Sequence, residues 1–528
     1  MKRNTAVSLK VIPAGHEKGS IYLDPILVGK DILELVSGAM YVEPLTIFRE
    51  YIQNAVDAID EAKEAGLFGS HQPRIDVFVD LVNRSIRIRD TGIGVKSSNF
   101  RCQLTAFGSS KKRGTKARGF RGVGRLSGLG YCQVLIFRSR APEDEDVRAL
   151  TWDSKKFKAI LQDRNYEGDL NQVVQDVTSI NTVSITDAPR HFFEVELLHV
   201  IRYKNDVLLN EEEIEHYIGQ VAPVSFNPDF TFGERISSWL NKFASIQSYP
   251  IFLNVYQGTN WKCKQIYRPF SDKFAIHGAL VDKVEDVEFC ELPGADGNIA
   301  AAGWILDHNY LGAIARRESV AGLRLRSGNL QVGSDDIVAN LFPESRFNSW
   351  CMGEFHVVSP KLLPNGRRDQ FESNASYVDL LGHLSAITRD ITKACRQKSK
   401  IRSLQGRFRN SVSLIEEKVR LIEATPIPPT MEKRLRAEIK QGLRRLQELR
   451  DGTRDESLQQ KYTKALNRLV GRVERLDASR RKMPLSGIPK ARRTVYEKLI
   501  GLIYQCSKNK QSASELIGRI ISKLEEQQ

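Results

Sequence analysis

The sequence predicts an α+β protein in which two mixed domains are followed by an all-helical, basic C-terminal region. A length of 528 residues suggests two to four domains. Helical periodicity and short alternating strands are combined up to about residue 205, and strand patterns return over about 249–390. From 391 onwards nearly every segment has a helical pattern. We therefore predict mixed domains at 1–205 and 249–390, a helical connector at 206–248 and a basic helical region at 391–528.

The first predicted domain combines a long helix with several short strands. The helix runs from Thr46 to about Glu64 and ends near Gly66, because its apolar residues recur every 3.6 residues. Alternating apolar residues predict strands at Arg74–Leu81, Ser85–Arg89, Gln133–Arg138 and Thr182–Thr186, after a short helix at Asp31–Val36. The first two of these strands should pair in an antiparallel hairpin.

The later segments continue both patterns. Residues 205–242 are predicted to be helical. Further strands are predicted at Ile251–Tyr256, Ala300–Ile305, Gly322–Arg326 and Gly353–Val358. Prolines at 426, 428 and 429 interrupt the helical tail. The apolar spacing within Met431–Lys482 then predicts a helical hairpin or a short coiled coil.

Composition excludes several protein classes. The N-terminus has no apolar segment typical of a secretory signal, and no apolar run reaches the roughly 18–20 residues of a membrane span. The seven cysteines are scattered and form no CxxC pair, which disfavours a disulfide framework and a zinc site. We therefore expect a cytoplasmic protein with reduced thiols and no membrane partner.

The positive charge is concentrated in the tail. Residues 391–528 contain 33 Lys and Arg against 15 Asp and Glu, whereas the preceding residues contain 46 and 49. This asymmetry suggests a polyanionic partner, and an ordinary solvated helical face is an equal alternative.

A polar stripe lies along the long predicted helix. Glu50, Asn54 and Asp57 are spaced i, i+4 and i+7, which places them on one face. A carboxylate and a carboxamide one turn apart can hold a water and a Mg²⁺ ion beside a polyphosphate. The Glu suits a general base, and the Asn oxygen is a hard, neutral metal ligand. Taken alone, a stripe of this kind is usually just the solvated face of a helix.

A second motif follows the hairpin, in the segment Asp90-Thr91-Gly92-Ile93-Gly94. The glycines permit positive φ angles and let the backbone approach a flat ligand closely. A buried Asp90 at the strand end can accept a hydrogen bond from an exocyclic amino group such as that of adenine. A Ca²⁺-binding or simple turn motif is the alternative.

Two glycine-rich segments come next, at Gly108–Gly114 and Gly119–Gly128. Glycines at GxxGxG spacing before a helix present N–H groups and a helix N-terminus to phosphate oxygens. The candidate phosphate-binding residues are Ser110, Lys111, Gly119, Gly122, Val123 and Gly124. By itself this pattern also fits any glycine-rich loop.

The order and spacing of these four segments within residues 46–130 resemble the GHKL (Bergerat-fold) ATPase superfamily, most of all the HtpG-type heat-shock-protein-90 chaperones. The resemblance implies an N-terminal α/β sandwich that binds ATP and Mg²⁺. The P-loop pattern GxxxxGK[ST] is absent from the sequence, which disfavours a P-loop NTPase. Glu50 also distinguishes the chain from histidine kinases, which have no hydrolytic Glu at this position.

The resemblance implies roles for individual residues. Glu50 corresponds to the base that activates water, Asn54 to the Mg²⁺ ligand, and Asp57 supports the same face. Asp90 corresponds to the adenine reader beside Gly92 and Gly94. The glycines from Gly119 to Gly124, with Val123, correspond to the phosphate-binding end of a lid. The family's Gly-Thr pair is missing from His191–Leu197, so Thr182 or Thr186 is expected to take its place.

The second domain resembles the middle, or transducer, domain that follows such ATPase domains. The segment Leu362–Glu372 resembles the loop that brings an arginine to the γ-phosphate, with Arg368 as the first candidate and Arg367 as the second. A surface ion pair between Arg368 and Asp369 is the alternative, and Glu372 stands where the chaperones have a glutamine. The tail resembles no domain of this family.

Together, these features predict a slow ATPase that acts as an ATP-gated clamp of the chaperone type, working as a homodimer on a client protein. The first alternative is an ATPase like MutL or MORC that is associated with nucleic acid through its basic tail, for example in a bacterial defence system. The second alternative is an ATP-binding scaffold with little hydrolysis.

Overall fold

The structure is a computed structural model that describes residues 43–69, 71–106, 124–163, 165–185, 188–243, 246–277, 280–424, 429–453, 455–478 and 485–526. It divides into two compact units, Met1–Arg389 and Asp390–Gln528. The predicted short helix at 31–36 and most of the glycine-rich segment, 107–123, lie outside the described residues.

The first unit contains an eight-stranded sheet. Its strands are β1 (Ile75–Asp80), β2 (Ser85–Asp90), β3 (Val134–Arg140), β4 (Val147–Asp153), β5 (Thr178–Val183), β6 (Phe192–Leu198), β7 (Ile251–Tyr256) and β8 (Trp261–Gln265). They are ordered β5-β4-β3-β6-β2-β1-β7-β8. Neighbouring strands are antiparallel except β1 and β7, which pair in parallel.

Helices pack on this sheet around one apolar core. They are α1 (Thr46–Glu64), α2 (Phe100–Thr105), α3 (Ser154–Gln162), α4 (Leu170–Val177) and α5 (Glu211–Val221). Alternate residues of β1 and β2 point into the core, where Val77 and Ile88 belong to the same buried cluster as Ile52 and Val56 of α1. The amphipathic patterns of the sequence therefore correctly predicted the long helix and the first hairpin, whose register pairs Ile75 with Asp90.

One predicted strand belongs to a different sheet from the one expected. Ile251–Tyr256, assigned from the sequence to the second domain, is β7 and pairs in parallel with β1. Its partner Trp261–Gln265 extends the same sheet as the edge strand β8. The predicted boundary at 248/249 is thus not where the two sheets separate. Parallel pairing joins segments far apart in sequence, so local periodicity carried no sign of it.

A second sheet completes the first unit. Its strands are β9 (Lys273–Ala275), β10 (Val281–Pro293), β11 (Ile299–His308), β12 (Gly322–Ser327), β13 (Leu330–Val332) and β14 (Met352–Val357). They are ordered β13-β12-β14-β11-β10-β9, and the helix α6 (Gly233–Leu240) contributes to the adjoining core. The predicted helical stretch 205–242 consists of α5 and α6 with non-helical residues between them.

The second unit is all-helical in the part that the structure describes. Helix α7 (Ala375–Ala424) begins in the first unit, and α8 (Pro429–Asp451), α9 (Glu456–Ala478), α10 (Lys490–Cys506) and α11 (Lys510–Glu526) follow. The guanidinium of Arg436, near the start of α8, donates to the carbonyl of Leu476 near the end of α9 at 3.3 Å. These two helices therefore form an antiparallel hairpin. Among the described helices, none has both the length and the apolar character that a membrane crossing requires.

Candidate functional site

Helix α1 supplies the polar stripe of the candidate site. The helix is largely buried, yet three polar side chains follow one another along one face. Asp57 is 2% exposed, Asn54 is half-buried, and 14% of the Glu50 side chain is exposed. Asp57 is therefore buried and Glu50 and Asn54 are partly buried, which is unlike a fully solvated helix face.

The turn after β2 lies against the same helix. Asp90 is 3% exposed, and its Oδ1 accepts a hydrogen bond from the Gly92 N–H at 2.8 Å. A Cβ atom at Gly92 would lie 2.5 Å from the Cβ of Ala58, and the Ile93 N–H donates to the Ala58 carbonyl at 3.0 Å. Gly92 therefore allows the turn to lie directly on α1, and a side chain there would separate the two.

The contact of the turn with Ala58 fixes the distance between the two ends of the candidate site. Ala58 lies eight residues beyond Glu50, a rise of about 12 Å along an α-helix. Glu50 and Asp90 therefore mark the two ends of one face of α1, and Asn54 and Asp57 lie between them. A buried acceptor at one end and oxygen ligands at the other suit an elongated ligand with a hydrogen-bonding base and an anionic tail.

Two residues that the sequence analysis missed hold the turn in place. The Nδ1 atom of His191 lies 2.8 Å from the Gly92 carbonyl oxygen. The Ser139 hydroxyl accepts from the Val95 N–H at 2.8 Å and donates to the Phe192 carbonyl at 2.8 Å. Ser139 lies on β3 and His191 directly precedes β6, and the order of strands in the sheet, which local periodicity does not give, brings both to the turn. Gly94, with φ +71°, makes the close approach of the turn to β3 possible.

The threonine expected at this corner is elsewhere. Thr182 lies on the edge strand β5, separated from β2 by β4, β3 and β6, and its hydroxyl accepts from the Arg148 guanidinium at 2.9 Å. It therefore does not replace the missing Gly-Thr pair, because the sheet order places three strands between it and β2. Thr186 lies outside the described residues.

The glycine-rich segment is described only at its end. Ser110, Lys111, Gly119, Gly122 and Val123 lie outside the described residues. Gly124 begins a short 3₁₀ helix, Gly124–Gly130.

A buried tyrosine of α1 binds this 3₁₀ helix. The Tyr51 hydroxyl accepts from the Gly128 N–H at 2.9 Å and donates to the Arg125 carbonyl at 3.1 Å. Burial raises the pKa of Tyr51 well above its usual value, so the hydroxyl remains protonated and able to donate. The sequence pattern predicts Tyr51 only as an apolar helix position, yet its hydroxyl connects the end of the glycine-rich segment to α1.

The predicted arginine loop reaches the opposite end of the helix face. The Arg368 Nε lies 4.0 Å from the Glu50 Oε1, and the Arg49 Nη2 donates to the Arg367 carbonyl at 3.0 Å. Arg368 is 8% exposed, and the Asp369 carboxylate accepts from the Asn365 side chain at 2.6 Å. Arg368 is therefore not half of a surface ion pair with its neighbour. Arg49, another residue that the sequence analysis missed, joins the loop's backbone to α1.

The residues present are suited to a Mg²⁺ ion held mainly by a phosphate ligand. Asn54 offers a neutral oxygen, and Glu50 and Asp57 offer carboxylate oxygens on the same face. Among the described residues, no group of three or more His, Cys, Asp or Glu side chains forms a self-sufficient metal site. Mg²⁺ in phosphate-binding proteins commonly has only one or two protein ligands, so this sparse set fits.

Comparison with known proteins agrees with this geometry. Residues 43–182 match the family model described as "Histidine kinase-, DNA gyrase B-, and HSP90-like ATPase". Over 143 residues the chain is 27% identical to the chaperone protein HtpG of Klebsiella pneumoniae subsp. pneumoniae and to that of Enterobacter sp.. It is 26% identical to HtpG of Salmonella paratyphi A over the same length.

These similarities concern one part of each protein. The alignment covers 24% of this chain and 23% of each relative, so the chain spans about a quarter of the length of the HtpG proteins that it matches. The matched family segment begins at α1 and contains the polar stripe, the turn after β2 and the glycine-rich segment. Residues 43–182 are therefore similar to the ATPase domain shared by histidine kinases, DNA gyrase B and HSP90, which is the GHKL superfamily that the sequence motifs resemble.

Proposed function

We propose that this protein hydrolyses ATP slowly and works as an ATP-gated molecular clamp of the HtpG chaperone type. The observation that carries the proposal is the 4.0 Å approach of Arg368 to Glu50. A residue from the second-sheet side of the unit thereby lies close to Glu50, the proposed general base on α1. A site assembled from two distant parts of the chain can respond to the bound nucleotide by joining or separating them.

In this proposal ATP lies along α1. The adenine is read by Asp90 beside Gly92 and Gly94, because a buried carboxylate can accept a hydrogen bond from the exocyclic amino group. The roughly 12 Å between the two ends of the helix face then directs the phosphates towards Glu50. Phosphate contacts from Ser110, Lys111 and the glycines Gly119, Gly122 and Gly124, with Val123, are proposed on family resemblance alone.

The catalytic roles follow from the side chains at the phosphate end. Glu50 acts as the general base that takes a proton from the attacking water. Arg368, brought near Glu50, stabilises charge that develops on the phosphoryl group. Asn54 is the proposed Mg²⁺ ligand, and Mg²⁺ when bound neutralises phosphate charge. Turnover is slow because the arginine loop must be docked before Glu50 can act.

The partners are likewise proposals. The relatives are named as chaperone proteins, and we propose that this chain also acts on a client protein and does so as a homodimer. A MutL- or MORC-like function on nucleic acid is the second candidate, favoured by the +18 net charge of residues 391–528. A nucleotide-binding scaffold with little hydrolysis is the third.

Steady-state ATPase measurements on single variants test the proposed catalytic pair. We expect Glu50→Ala and Arg368→Ala each to lower kcat by about a hundredfold or more, because one removes the base and the other the stabilising charge. Nucleotide affinity, measured by calorimetry, should change by less than about threefold in Glu50→Ala, because that side chain contacts the water rather than the nucleotide.

Matched controls separate chemistry from folding. Glu61→Ala removes an exposed carboxylate from the same helix, and Arg316→Ala removes an exposed guanidinium from the same unit. Both should retain wild-type turnover. Hydrolysis by Glu50→Ala at the wild-type rate would exclude the proposed base. Sizing with a non-hydrolysable ATP analogue, compared with ADP, should reveal a nucleotide-dependent dimer, and an unchanged monomer in both states would exclude the clamp.

A further inference from the structure

We propose that the second unit binds double-stranded nucleic acid through a cationic face on helices α7 and α9. This cationic face consists of six exposed residues: Lys400, Arg407, Arg409, Lys461, Lys464 and Arg468. The first three lie on α7 and the others on α9. The proposal goes beyond ATP hydrolysis and does not depend on it.

Both helices carry long stretches without acidic residues. Between Asp390 and Glu416 the sequence contains seven Lys or Arg and no Asp or Glu. Between Glu456 and Glu474 it contains four Lys or Arg and again no Asp or Glu. Like charges along such stretches repel one another, whereas helices with mixed charges are stabilised by i, i+4 pairs, so an anion bound nearby would relieve this repulsion.

The fold brings these two stretches together. The rings of Phe408 on α7 and Tyr462 on α9 stack with centroids 3.9 Å apart and an interplanar angle of 10°. Both residues are buried. Arg407 and Arg409 flank the first ring in sequence, and Lys461 flanks the second. The aromatic contact thus brings together the parts of α7 and α9 that carry these cations.

Several acidic residues of the unit already have partners within it. Glu438 pairs with Lys418 at 2.7 Å, and Glu423 accepts from the Arg472 Nε at 3.0 Å.

Acidic side chains near the cationic face also have partners. Asp451 pairs with Arg450 at 2.7 Å, and the Asp455 carboxylate accepts from the Leu458 N–H at 3.0 Å at the start of α9. None of the six residues of the cationic face has an ion-pair partner among the residues that the structure describes. The positive charge is therefore left for an external anion.

The chemistry of the face favours duplex phosphates over other anions. Single strands are usually held by stacking of bases on exposed aromatic rings, whereas Phe408 and Tyr462 stack on each other inside the unit. Anionic membranes are bound by helices that also insert apolar side chains. In the described parts of α8, α9 and the second-unit portion of α7, Leu414 is the only large apolar residue that is exposed.

Phosphate contacts predict a specific salt dependence. Each neutralised phosphate adds about 0.9 to the slope of log affinity against log salt concentration on duplex DNA. Full engagement of the cationic face would therefore give a slope of about −5.

Fluorescence anisotropy with the full-length protein and a labelled duplex of about 30 base pairs, without nucleotide, tests the proposal. The variant Lys461→Gln/Lys464→Gln/Arg468→Gln should bind about tenfold more weakly or worse, with a slope shallower by about 2 to 3. The control Lys155→Gln/Lys242→Gln/Lys273→Gln removes the same charge from exposed positions of the first unit and should retain wild-type affinity.

Equal affinity for double-stranded RNA would support recognition of the phosphate backbone. The proposal is overturned if the duplex does not bind, if the two triple variants lose affinity equally, or if binding does not depend on salt. Preference for single-stranded DNA, or binding to phosphatidylserine vesicles without binding to the duplex, would also overturn it. The binding experiment contains no ATP, so a failure to bind the duplex would leave the ATPase proposal intact. Conversely, a lack of ATPase activity would not affect the interpretation of duplex binding.

Discussion

At the scale of single residues, Gly92 shows how closely the turn after β2 approaches helix α1. An added Cβ would lie 2.5 Å from the Ala58 Cβ and 2.7 Å from the Ala58 backbone carbon. Atoms of real side chains do not approach backbone this closely, so either the helix or the turn would have to move. The residue that would move with the turn is Asp90, whose carboxylate accepts from the Gly92 N–H.

We expect Gly92→Ala to destabilise the first unit by about 1–3 kcal/mol through this overpacking. Nucleotide affinity should fall by at least about tenfold, because Asp90 is displaced from the adenine. Chemical unfolding and calorimetric titration with ATP measure the two effects. Gly130→Ala is the matched control, since an added Cβ there meets nothing within 4 Å. Wild-type affinity in Gly92→Ala would contradict the proposed orientation of the nucleotide.

At the residue scale, the relative placement of side chains can be predicted from sequence where it depends on local spacing. Glu50, Asn54 and Asp57 share a face because of helical spacing, and Asp90 is at a strand end marked by glycines. Glu50 has a sequence neighbour, Arg49, at 3.6 Å, but its distant partner was beyond such reasoning from residue types. Arg368 is 318 positions further along the chain and was proposed only through family resemblance.

At the scale of secondary-structure elements, the 3₁₀ helix Gly124–Gly130 is joined to α1 by a single buried hydroxyl. Tyr51 is 3% exposed, and its hydroxyl makes hydrogen bonds to Gly128 and Arg125. The Arg125 guanidinium also donates to the Ala106 carbonyl, where the glycine-rich segment begins. Both ends of that segment are thereby connected to α1 through one tyrosine and one arginine.

We expect Tyr51→Phe to cost about 1–3 kcal/mol, because the buried Gly128 N–H loses its acceptor. The apparent KM for ATP should rise while kcat changes less, because the variant loosens the segment proposed to hold phosphate. Steady-state kinetics and urea unfolding measure both. The control is Tyr256→Phe, whose hydroxyl makes no hydrogen bond among the described residues. Unchanged stability of Tyr51→Phe would show that the hydroxyl does not hold the 3₁₀ helix.

The sequence predicted those helices and strands whose formation depends on residues close together along the chain. Helix α1 and the β1–β2 hairpin needed only periodicity over 6 to 19 residues. Strand β5 covers Thr178–Val183 instead of the predicted 182–186. The helices α3 and α4 that precede it were not predicted, so the start of the strand was not located correctly. Strand β7 was found as a strand but not as a neighbour of β1, since pairing across the sheet has no local signature.

At the scale of the whole first unit, a buried charged cluster joins the two sheets. Glu354 on β14 is fully buried and pairs with Arg326 on β12 at 2.7 Å. It also binds Arg268, which follows β8 and donates to the Val224 carbonyl at 3.0 Å. Burial alone would raise the pKa of Glu354, but the charges of Arg268 and Arg326 outweigh it and lower the pKa well below its usual value.

The neighbouring His356 makes the stability of this cluster depend on pH. Burial lowers the pKa of His356 to about 4, so the ring is neutral in the folded protein. The unfolded chain takes up a proton near pH 6.5, which the folded protein does not do until about pH 4. Acidification across this window therefore favours the unfolded state.

We expect the free energy of unfolding of the first unit to fall by up to about 3 kcal/mol between pH 6.5 and pH 4 because of His356. Urea unfolding at several pH values measures the effect, and His356→Gln should flatten the dependence. His383→Gln, which changes a half-exposed histidine, should leave the dependence as in the wild type. The same slope in wild type and His356→Gln would exclude this origin.

The parallel pairing of β1 with β7 has a consequence for how the protein is made. More than 160 residues separate Asp80 from Ile251, so a nascent chain cannot complete the sheet until β7 has left the ribosome. Until then β1 has an unpaired edge that invites association with other chains. A fragment cut at residue 205 keeps every predicted ATP contact except Arg368, but it retains that bare edge and should aggregate. A fragment extended through Gln265 contains β7 and β8. Unlike the fragment cut at residue 205, it should remain in solution.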